Sequence, residues 1–377
     1  MLNPKHLAAL GSALALIFTP AAGRAAPPPA PDCQAVGKLE PICGFGGSED
    51  LEVVTGGRGL LVSESNFEFD AEGMHWHPGH LGFLDLTSGQ HARLYPNPHP
   101  TTGPGPWGDP HCPGEAGATL SPHGIHLSQR KNGKWQLLVV NHGSRESVEF
   151  FEVSGLTDKS APPRLSWRGC LALEPTRLLN DVVALPGGGL LVTDMGHNTG
   201  PGMLLENLPK ASRGENTGRV LRWRPGRGVD EVPGTDAPLP NGLQIDRQGR
   251  TIFVAASGPD GGEIRKIALA SGKGLGAAPV PHPDNISWGP DGRLLVSSLP
   301  LDSDFAACIG QPSAQPCPAA FQVVAVDPAS LATETLLRHQ GLPLGASTVA
   351  VQVGRHLYVG SFAGGRILKA PLPGKTR

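Results

Sequence analysis

The sequence has little charge and no block of like charges. Charged residues make up 17% of the 377 residues, and 31 basic against 33 acidic side chains leave a formal net charge of −2. Without a basic patch to neutralise phosphates, binding to nucleic acid is not expected. Hydrophobic residues make up 39% of the chain, which is enough for a large core and argues against disorder.

The commonest catalytic signatures are also missing. There is no G-x-S-x-G nucleophile elbow, Walker loop or H-E-x-x-H motif, and the G-x-G-x-x-G spacing at residues 103–108 is interrupted by prolines and is not a dinucleotide fingerprint. Their absence excludes the commonest serine esterases, nucleotidases and zincins. Residues 128–131 fit S-x-x-K, but they lie among turn-forming residues and are interpreted as a solvated loop. No two cysteines have C-x-x-C spacing, so a thiolate metal site is not expected.

The first 25 residues have the pattern of a secretory signal. Lys5 precedes a largely apolar run from Leu7 to Phe18, and small residues follow up to Ala25. An uncleaved anchor in the membrane interface is the alternative. The run is too short to span a bilayer comfortably, and no later segment approaches about 18 continuous apolar residues. We therefore expect a secreted or periplasmic protein without a membrane span, with residues 26–46 as a Pro-rich N-terminal segment.

Export permits disulfides, and the six cysteines allow at most three of them. Their spacings favour the pairs Cys33 with Cys43, Cys308 with Cys317, and Cys112 with Cys170. About fifteen pairings are arithmetically possible for six cysteines, so the sequence leaves other pairings open.

One short strand pattern recurs six times along the chain. The copies begin at Leu60, Leu137, Leu190, Ile252, Leu294 and Leu357. Most follow a glycine turn, and each precedes a second β-rich segment. Short strands between turns, repeated in this way, predict an all-β fold, a six-bladed β-propeller over residues 47–377. A β-sandwich with accidental repeats is the alternative. No stretch sustains a long amphipathic helical period.

A polar pair stands at a nearly constant distance before each repeat. The pairs are Glu49-Asp50, His123-Gly124, Asn180-Asp181, Asn241-Gly242, Asp284-Asn285 and Ser347-Thr348. Taken singly, dipeptides such as Asn-Asp and Asn-Gly are typical of ordinary turns. The innermost strands of a propeller all begin at the same end of its central channel. We therefore expect the six pairs to converge on one site.

The converging side chains offer hard oxygen ligands. Two carboxylates and three amide oxygens come from Glu49, Asn180, Asn241, Asp284 and Asn285. Such a set suits Ca²⁺, which takes about six to eight oxygens, better than Zn²⁺. Asp50 and Asp181 should point elsewhere, because successive side chains on an extended strand alternate. We expect them to hold a second ion deeper in the channel, with the backbone carbonyl of Ile125.

Together these motifs resemble the paraoxonase/arylesterase family. The matching segments are Ser48-Glu49-Asp50-Leu51-Glu52, Pro122-His123-Gly124-Ile125, Leu137-Leu138-Val139-Val140-Asn141-His142, Leu179-Asn180-Asp181-Val182, Asn241-Gly242-Leu243 and Asp284-Asn285-Ile286-Ser287. The resemblance runs in order from about Gly47 to Phe362, and residues 122–153 are its most diagnostic part.

The resemblance implies a six-bladed propeller with two calcium ions, one catalytic and one structural, that hydrolyses lactones and aryl esters. The catalytic ion would be held by Glu49, Asn180, Asn241, Asp284 and Asn285. The structural ion would be held by Asp50, Asp181 and the Ile125 carbonyl. His123 and His142 match the histidine pair proposed to activate water in that family.

The chain departs from the family pattern at three points. Animal members close the ring with a disulfide to the extreme C-terminus, whereas this chain ends without cysteine, so closure must rely on strand pairing. A channel histidine near the end of an inner strand of the fifth blade is replaced by about Leu299. The insert that carries His75, His77 and His80 has no family counterpart; it could bind a transition metal, but a surface or lid loop is the favoured interpretation.

The expected chemistry follows from these groups. Calcium with an open coordination position polarises an ester carbonyl, and His123 or His142 accepts a proton from water. For either histidine, a hydrogen-bonded residue that supports the ligands is the alternative role. The expected partner is a small lactone or aryl ester, and the expected oligomeric state is a monomer. The surroundings of Trp76, Phe83 and Leu299 favour an apolar substrate. A gluconolactonase-like sugar-lactone hydrolase and a non-catalytic binding propeller remain as alternatives.

Overall fold

The computed structural model describes residues 33–70, 72–97, 107–300, 308 and 315–374, and the expected signal segment lies outside them. The described chain forms six four-stranded sheets, in which neighbouring strands pair in antiparallel fashion. These sheets are the blades of a six-bladed β-propeller, which confirms the predicted fold.

The strands follow one another blade by blade. β1 (Glu40–Cys43) comes first and belongs to blade six. Blade one contains β2 (Gly47–Val53), β3 (Gly59–Phe69), β4 (Met74–Asp85) and β5 (His91–Tyr95). Blade two contains β6 (Pro122–Gln129), β7 (Trp135–Asn141), β8 (Ser147–Ser154) and β9 (Arg164–Ala172). Blade three contains β10 (Arg177–Ala184), β11 (Leu190–His197), β12 (Arg219–Arg224) and β13 (Gly228–Glu231).

The second half of the ring repeats this arrangement. Blade four contains β14 (Pro240–Ile245), β15 (Thr251–Gly258), β16 (Gly261–Ala268) and β17 (Lys273–Pro279). Blade five contains β18 (Pro283–Trp288), β19 (Leu294–Ser298), β20 (Phe321–Val326) and β21 (Thr333–His339). Blade six contains β22 (Ser347–Val353), β23 (His356–Ser361) and β24 (Arg366–Pro371), with β1 as its outermost strand.

The repeated sequence pattern forms the second strand of every blade. In β11, for example, Leu190, Leu191 and Val192 are at most 1% exposed, so both faces of the strand are buried. Both faces are covered because each blade packs against the next, and six clusters of buried apolar side chains lie between neighbouring blades. This packing explains why the repeats are continuously apolar rather than alternating.

Strand pairing closes the ring. β1 pairs with β24 in the register Ile42 with Ile367. Lys369 Nζ also lies 2.9 Å from Glu40 Oε2, an exposed ion pair that contributes little by itself. The propeller therefore includes residues 40–43, which the sequence places in the N-terminal segment before Gly47. Closure of the ring by strand pairing is therefore confirmed.

The three disulfides are those that the spacing favoured. They join Cys33 to Cys43, Cys112 to Cys170 and Cys308 to Cys317. Disulfides form and persist mainly in oxidising compartments, so they indicate an extracytoplasmic protein. None of the helices in the described ranges is long and apolar enough to cross a membrane.

Two elements differ from the sequence-based expectation. The segment with His75, His77 and His80 is not a loop: it lies in β4, which pairs with β3 over the whole length of that strand. An α-helix, α1 (Met203–Ser212), was not predicted and lies between β11 and β12. Two 3₁₀ turns, Thr55–Gly57 and Gly117–Thr119, complete the helical elements bounded in the described ranges.

Candidate active site

The polar pairs converge as predicted. A cavity of about 170 Å³ lies where the six innermost strands begin. Each of those strands contributes one polar side chain to its lining: Glu49, His123, Asn180, Asn241, Asp284 and Thr348. Residues spread over nearly the whole chain therefore form one site.

A β-bulge accompanies the polar pair in every blade. The ladder between the innermost and second strands shifts register between Ser48 and Asp50, Pro122 and Ile125, Leu179 and Val182, Pro240 and Leu243, Pro283 and Ile286, and Ser347 and Val349. A bulge leaves a residue unpaired and changes the direction of its side chain. Simple strand alternation, used to interpret the sequence, does not describe this region.

Two glycines allow neighbouring innermost strands to approach closely at these bulges. A Cβ on Gly124 would lie 2.5 Å from the backbone oxygen of Asn180, and a Cβ on Gly242 would lie 2.5 Å from that of Asp284. Both contacts are shorter than any tolerated by a real side chain. Glycine is thus required beside His123 and Asn241 to bring the polar groups together.

The three asparagines have their amide nitrogens occupied and their oxygens free. Asn180 Nδ2 lies 3.1 Å from Met195 Sδ, and Asn285 Nδ2 donates to the Glu49 carbonyl at 3.2 Å. Asn241 forms a side-chain hydrogen bond with Asp284. The Oδ1 atoms of all three are buried and have no hydrogen-bond partner among the described residues. Buried polar atoms are almost always satisfied, so three orphaned oxygens at one site fit a bound cation.

Four buried carboxylates lie in the same region, and among the described residues no lysine or arginine forms an ion pair with any of them. Glu49, Asp50, Asp181 and Asp284 are at most 8% exposed. Among the ion pairs of the described residues, only His123 contacts one of them, with Nε2 3.3 Å from Glu49 Oε1. Burial raises the pKa of Glu49 to about 8 and that of Asp181 to about 7. Burial and the charge of Glu49 raise the pKa of Asp284, since charged forms are disfavoured without a counterion.

Asp50 and Asp181 differ from Glu49 and Asp284 in their hydrogen-bond partners. Asp50 Oδ2 accepts the Ile125 N–H at 2.7 Å, and Asp181 Oδ2 accepts the Leu243 N–H at 2.7 Å. Each carboxylate thus links its own blade to the next one. Burial and the charge of Asp181 raise the pKa of Asp50, so the two carboxylates lie close enough to interact. Neither lines the cavity.

The two histidines form the start of a hydrogen-bonded chain. His123 Nδ1 lies 2.9 Å from His142 Nε2, and His142 Nδ1 lies 2.8 Å from Glu146 Oε1. Glu146, which sequence reasoning missed, is held by the Leu179 N–H at 3.3 Å. Its signal in the sequence is weak: a carboxylate four residues after His142, across the short turn between β7 and β8.

Only one of these histidines faces the cavity. His123 lines it, whereas the His142 side chain is fully buried beneath Trp76, whose ring stacks on it at 4.0 Å. Asn180 Nδ2 lies 3.5 Å from His123 Nε2. Both hydrogen bonds of this series can form when His123 and His142 each carry a proton on Nδ1. His123 Nε2 then keeps its lone pair. Burial and the charge of His142 lower the pKa of His123, which favours the neutral imidazole.

Most of the remaining cavity wall is apolar. The apolar part is built from Phe67, Phe69, Met74, Trp76, Leu178, Met195, Met203, Leu204, Leu208, Leu239, Leu299 and Phe362. The β3–β4 hairpin and α1 supply about half of these side chains and meet where the Met74 N–H donates to the Pro201 carbonyl at 2.8 Å. We call this group the apolar wall.

Three side chains singled out in the sequence have different positions. Trp76 and Leu299 belong to the apolar wall, as expected. Phe83 does not: it is 1% exposed in the core between blades one and two, so it cannot contact a substrate. The cavity nevertheless has a histidine at blade five. His282, directly before β18, lines the cavity, and its backbone carbonyl accepts a hydrogen bond from the Leu299 N–H.

Comparison with known proteins shows the fold. No protein-family model matches the chain, and no curated protein matches it. A solved candidate gluconolactonase is 14% identical, with a TM-score of 0.50, over 90% of this chain and 94% of that one. A luciferin-regenerating enzyme is 12% identical over 89% and 92%, with a TM-score of 0.45. A calcium-binding regucalcin from Agrobacterium tumefaciens is 14% identical over 88% and 96%, with a TM-score of 0.42. At 14% identity the likeness to the candidate gluconolactonase extends to the propeller fold alone.

Proposed function

We propose that this chain is a calcium-dependent hydrolase of apolar lactones and aryl esters, of the paraoxonase type. The observation that carries the proposal is the set of three buried amide oxygens without partners beside two buried carboxylates. Every one of these groups is a hard oxygen donor, and together they form a ligand set suited to calcium.

The orphaned amide oxygens and the carboxylates beside them fit one ion, and we propose a second, deeper one, as the sequence predicts. Glu49, Asn180, Asn241, Asp284 and Asn285 would hold a catalytic calcium beside the cavity. Asp50, Asp181 and the carbonyl of Ile125 would hold a structural one. Calcium would supply positive charge that polarises the ester carbonyl and stabilises the developing oxyanion.

The protein's own proton path starts at His123. Its Nε2 lone pair, at the cavity, is positioned to accept a proton from the attacking water. The Nδ1 proton can then pass to His142 Nε2, 2.9 Å away, and Glu146 stabilises the resulting imidazolium through His142 Nδ1. His123 is therefore the general base in this proposal. His142 and Glu146 act through it, as an orienting and charge-stabilising pair.

The apolar wall supports the choice of substrate. Twelve apolar side chains line the cavity beside its polar side chains. Such a wall favours aliphatic lactones and phenyl esters over sugar lactones, whose hydroxyl groups would lose water without gaining hydrogen-bond partners. Trp76, which lines this wall, has a buried Nε1 donor with no partner in the described chain.

An assay panel tests the proposal. Purified protein is given phenyl acetate, a series of aliphatic lactones and a sugar lactone, first with calcium and then with EGTA. Turnover of the apolar substrates that EGTA abolishes and added calcium restores is the expected result. Turnover of the sugar lactone alone would instead support a gluconolactonase-like enzyme, and no turnover of any substrate would support a binding propeller.

A further inference from the structure

Away from the channel, a buried carboxylate lies between two histidines. Glu64 on β3, His80 on β4 and His91 on β5 come from neighbouring strands of blade one. Glu64 Oε1 lies 2.7 Å from His91 Nε2, and Glu64 Oε2 lies 3.0 Å from His80 Nε2. The three ligand atoms are within 4.8 Å of one another. None of these residues lines the channel cavity, and we call them the Glu64 cluster.

A glycine makes room for the cluster. A Cβ on Gly82 would lie 2.2 Å from Glu64 Oε1 and 2.7 Å from His91 Nε2. Gly82 pairs with Val62, two residues along the ladder from the pair Glu64 and His80, so a side chain there would project on the same face as theirs. Any residue other than glycine would therefore fill the space in which the imidazole nitrogens and the carboxylate meet.

The cluster has the ligand chemistry of a transition-metal site. The Glu64 side chain is fully buried, whereas those of His80 and His91 are 26% and 20% exposed, which leaves a path for a metal ion. Two imidazole nitrogens with one carboxylate suit Zn²⁺ and related ions, whereas Ca²⁺ prefers oxygen ligands.

We propose that the Glu64 cluster is a transition-metal site of the zinc class, separate from the channel and different in ligand chemistry. Two imidazoles and a carboxylate would hold the ion and leave its remaining coordination position toward solvent. The sequence placed His80 in a histidine-rich segment with His75 and His77, but the fold pairs it instead with Glu64 and His91. His75 and His77 contact Asp70 and Glu68 at the hairpin.

The cluster lies where the chain crosses from blade six to blade one. The Gly46 N–H donates to Glu64 Oε2 at 2.7 Å, and the Phe45 ring packs on the His91 ring at 4.2 Å. The N–H groups of Gly44 and Phe45 both donate to the Gly365 carbonyl in blade six. A metal ion at the cluster would tie three strands of blade one together beneath this crossing segment. It would thus stabilise the region in which the ring closes.

Metal titration of the calcium-loaded, full-length mature protein tests the proposal. Calorimetry with Zn²⁺ should show one bound equivalent in the presence of excess calcium, and Co²⁺ should give the visible absorption of a low-coordinate nitrogen-oxygen site. Zinc should also raise the unfolding temperature. His80→Ala and His91→Ala should each weaken zinc binding at least about tenfold, since even loss of a group that only supports a metal ligand costs about 10–100-fold. His77→Ala is the matched control on the same strand and should bind zinc like the wild type.

Three results would overturn the proposal. The first is no binding of Zn²⁺ or Co²⁺ to the calcium-loaded wild-type protein. The cluster would then consist only of contacts from Glu64 to His80 and His91, without a metal ion. The second is unchanged zinc affinity in both His80→Ala and His91→Ala. The third is zinc binding that Asn241→Ala abolishes, because zinc would then occupy the channel. The cobalt spectrum of the wild-type protein needs no variant, so the test remains decisive if one variant misfolds.

Discussion

The Asn285 side chain donates from Nδ2 to the backbone carbonyl of Glu49 at 3.2 Å, although the two residues are 236 positions apart. This bond joins blade five to blade one across the channel. Because the amide nitrogen faces that carbonyl, Oδ1 is turned away from the carbonyl, and it is left buried without a partner in the described chain. The amides of Asn180 and Asn241 also have partners within the protein, so such hydrogen bonds set the direction of all three amide oxygens.

The asparagine oxygens should be essential for calcium binding. We expect Asn180→Ala, Asn241→Ala and Asp284→Ala to abolish turnover, because each removes an oxygen ligand from one ion. Calorimetry should show calcium affinity at the catalytic site falling in step with activity. Asn132→Ala, in an exposed turn, is the control. Wild-type turnover in all three site variants would refute the assigned ligand set.

The hydrogen-bonded chain predicts a graded series of losses. His123→Gln should lower kcat by about 10²–10⁴-fold, the usual contribution of a general base. Glu146→Gln keeps a side chain of the same shape but removes the charge that stabilises His142. It should lower kcat by up to about 10²-fold, as misorientation does, with little change in KM. Glu174→Gln, at an exposed position, should have no effect. Equal activity of the Glu146 variant and the wild type would remove Glu146 from the mechanism.

Helix α1 should determine which substrates are accepted. Leu208 lines the cavity, whereas Leu205 on the same helix is 63% exposed. Leu208→Asn should raise the KM for phenyl acetate by about tenfold, the usual effect of weakening an apolar pocket contact. It should change the kinetics of small aliphatic lactones less. Leu205→Asn serves as the matched control, and an equal effect of both substitutions would show that the helix affects activity only through folding.

The close approach of the innermost strands predicts different outcomes for two glycine substitutions. Gly242→Ala should lower both activity and the free energy of unfolding, because its Cβ would meet the Asp284 carbonyl oxygen at 2.5 Å. The displaced strand would carry Asn241 and Asp284 away from their positions. A Cβ on Gly187 meets nothing within 4 Å, so Gly187→Ala should be tolerated. Urea unfolding monitored by fluorescence, with parallel esterase assays, distinguishes these results.

The repeats were sufficient to predict the blades and the convergence of the polar pairs. The strand formed by Leu190-Leu191-Val192, like its counterparts, can be recognised from its own short sequence. Because the pattern occurs six times, assigning one copy to each blade predicts a ring of six blades. The disulfide pairs were also predicted, because two of them are local.

Features that depend on contacts between distant segments were not predicted. Helix α1 contains Pro209 and is only ten residues long, so its helical period is weak in the sequence. The His75 segment contains proline and glycine, which suggest a loop, yet pairing with β3 makes it a strand. The contacts of Glu146 and of the Glu64 cluster depend on the directions of side chains within a hairpin or across a sheet. The amino-acid composition does not specify these directions.

The most direct test of the central claim is a crystal structure of the protein grown with calcium. The account predicts a cation at the end of the channel with the Oδ1 atoms of Asn180, Asn241 and Asn285 and the carboxylates of Glu49 and Asp284 at about 2.3–2.6 Å, the usual calcium–oxygen distance. A channel without a cation at these five residues, or amide oxygens turned to hydrogen-bond donors of the protein, would contradict it.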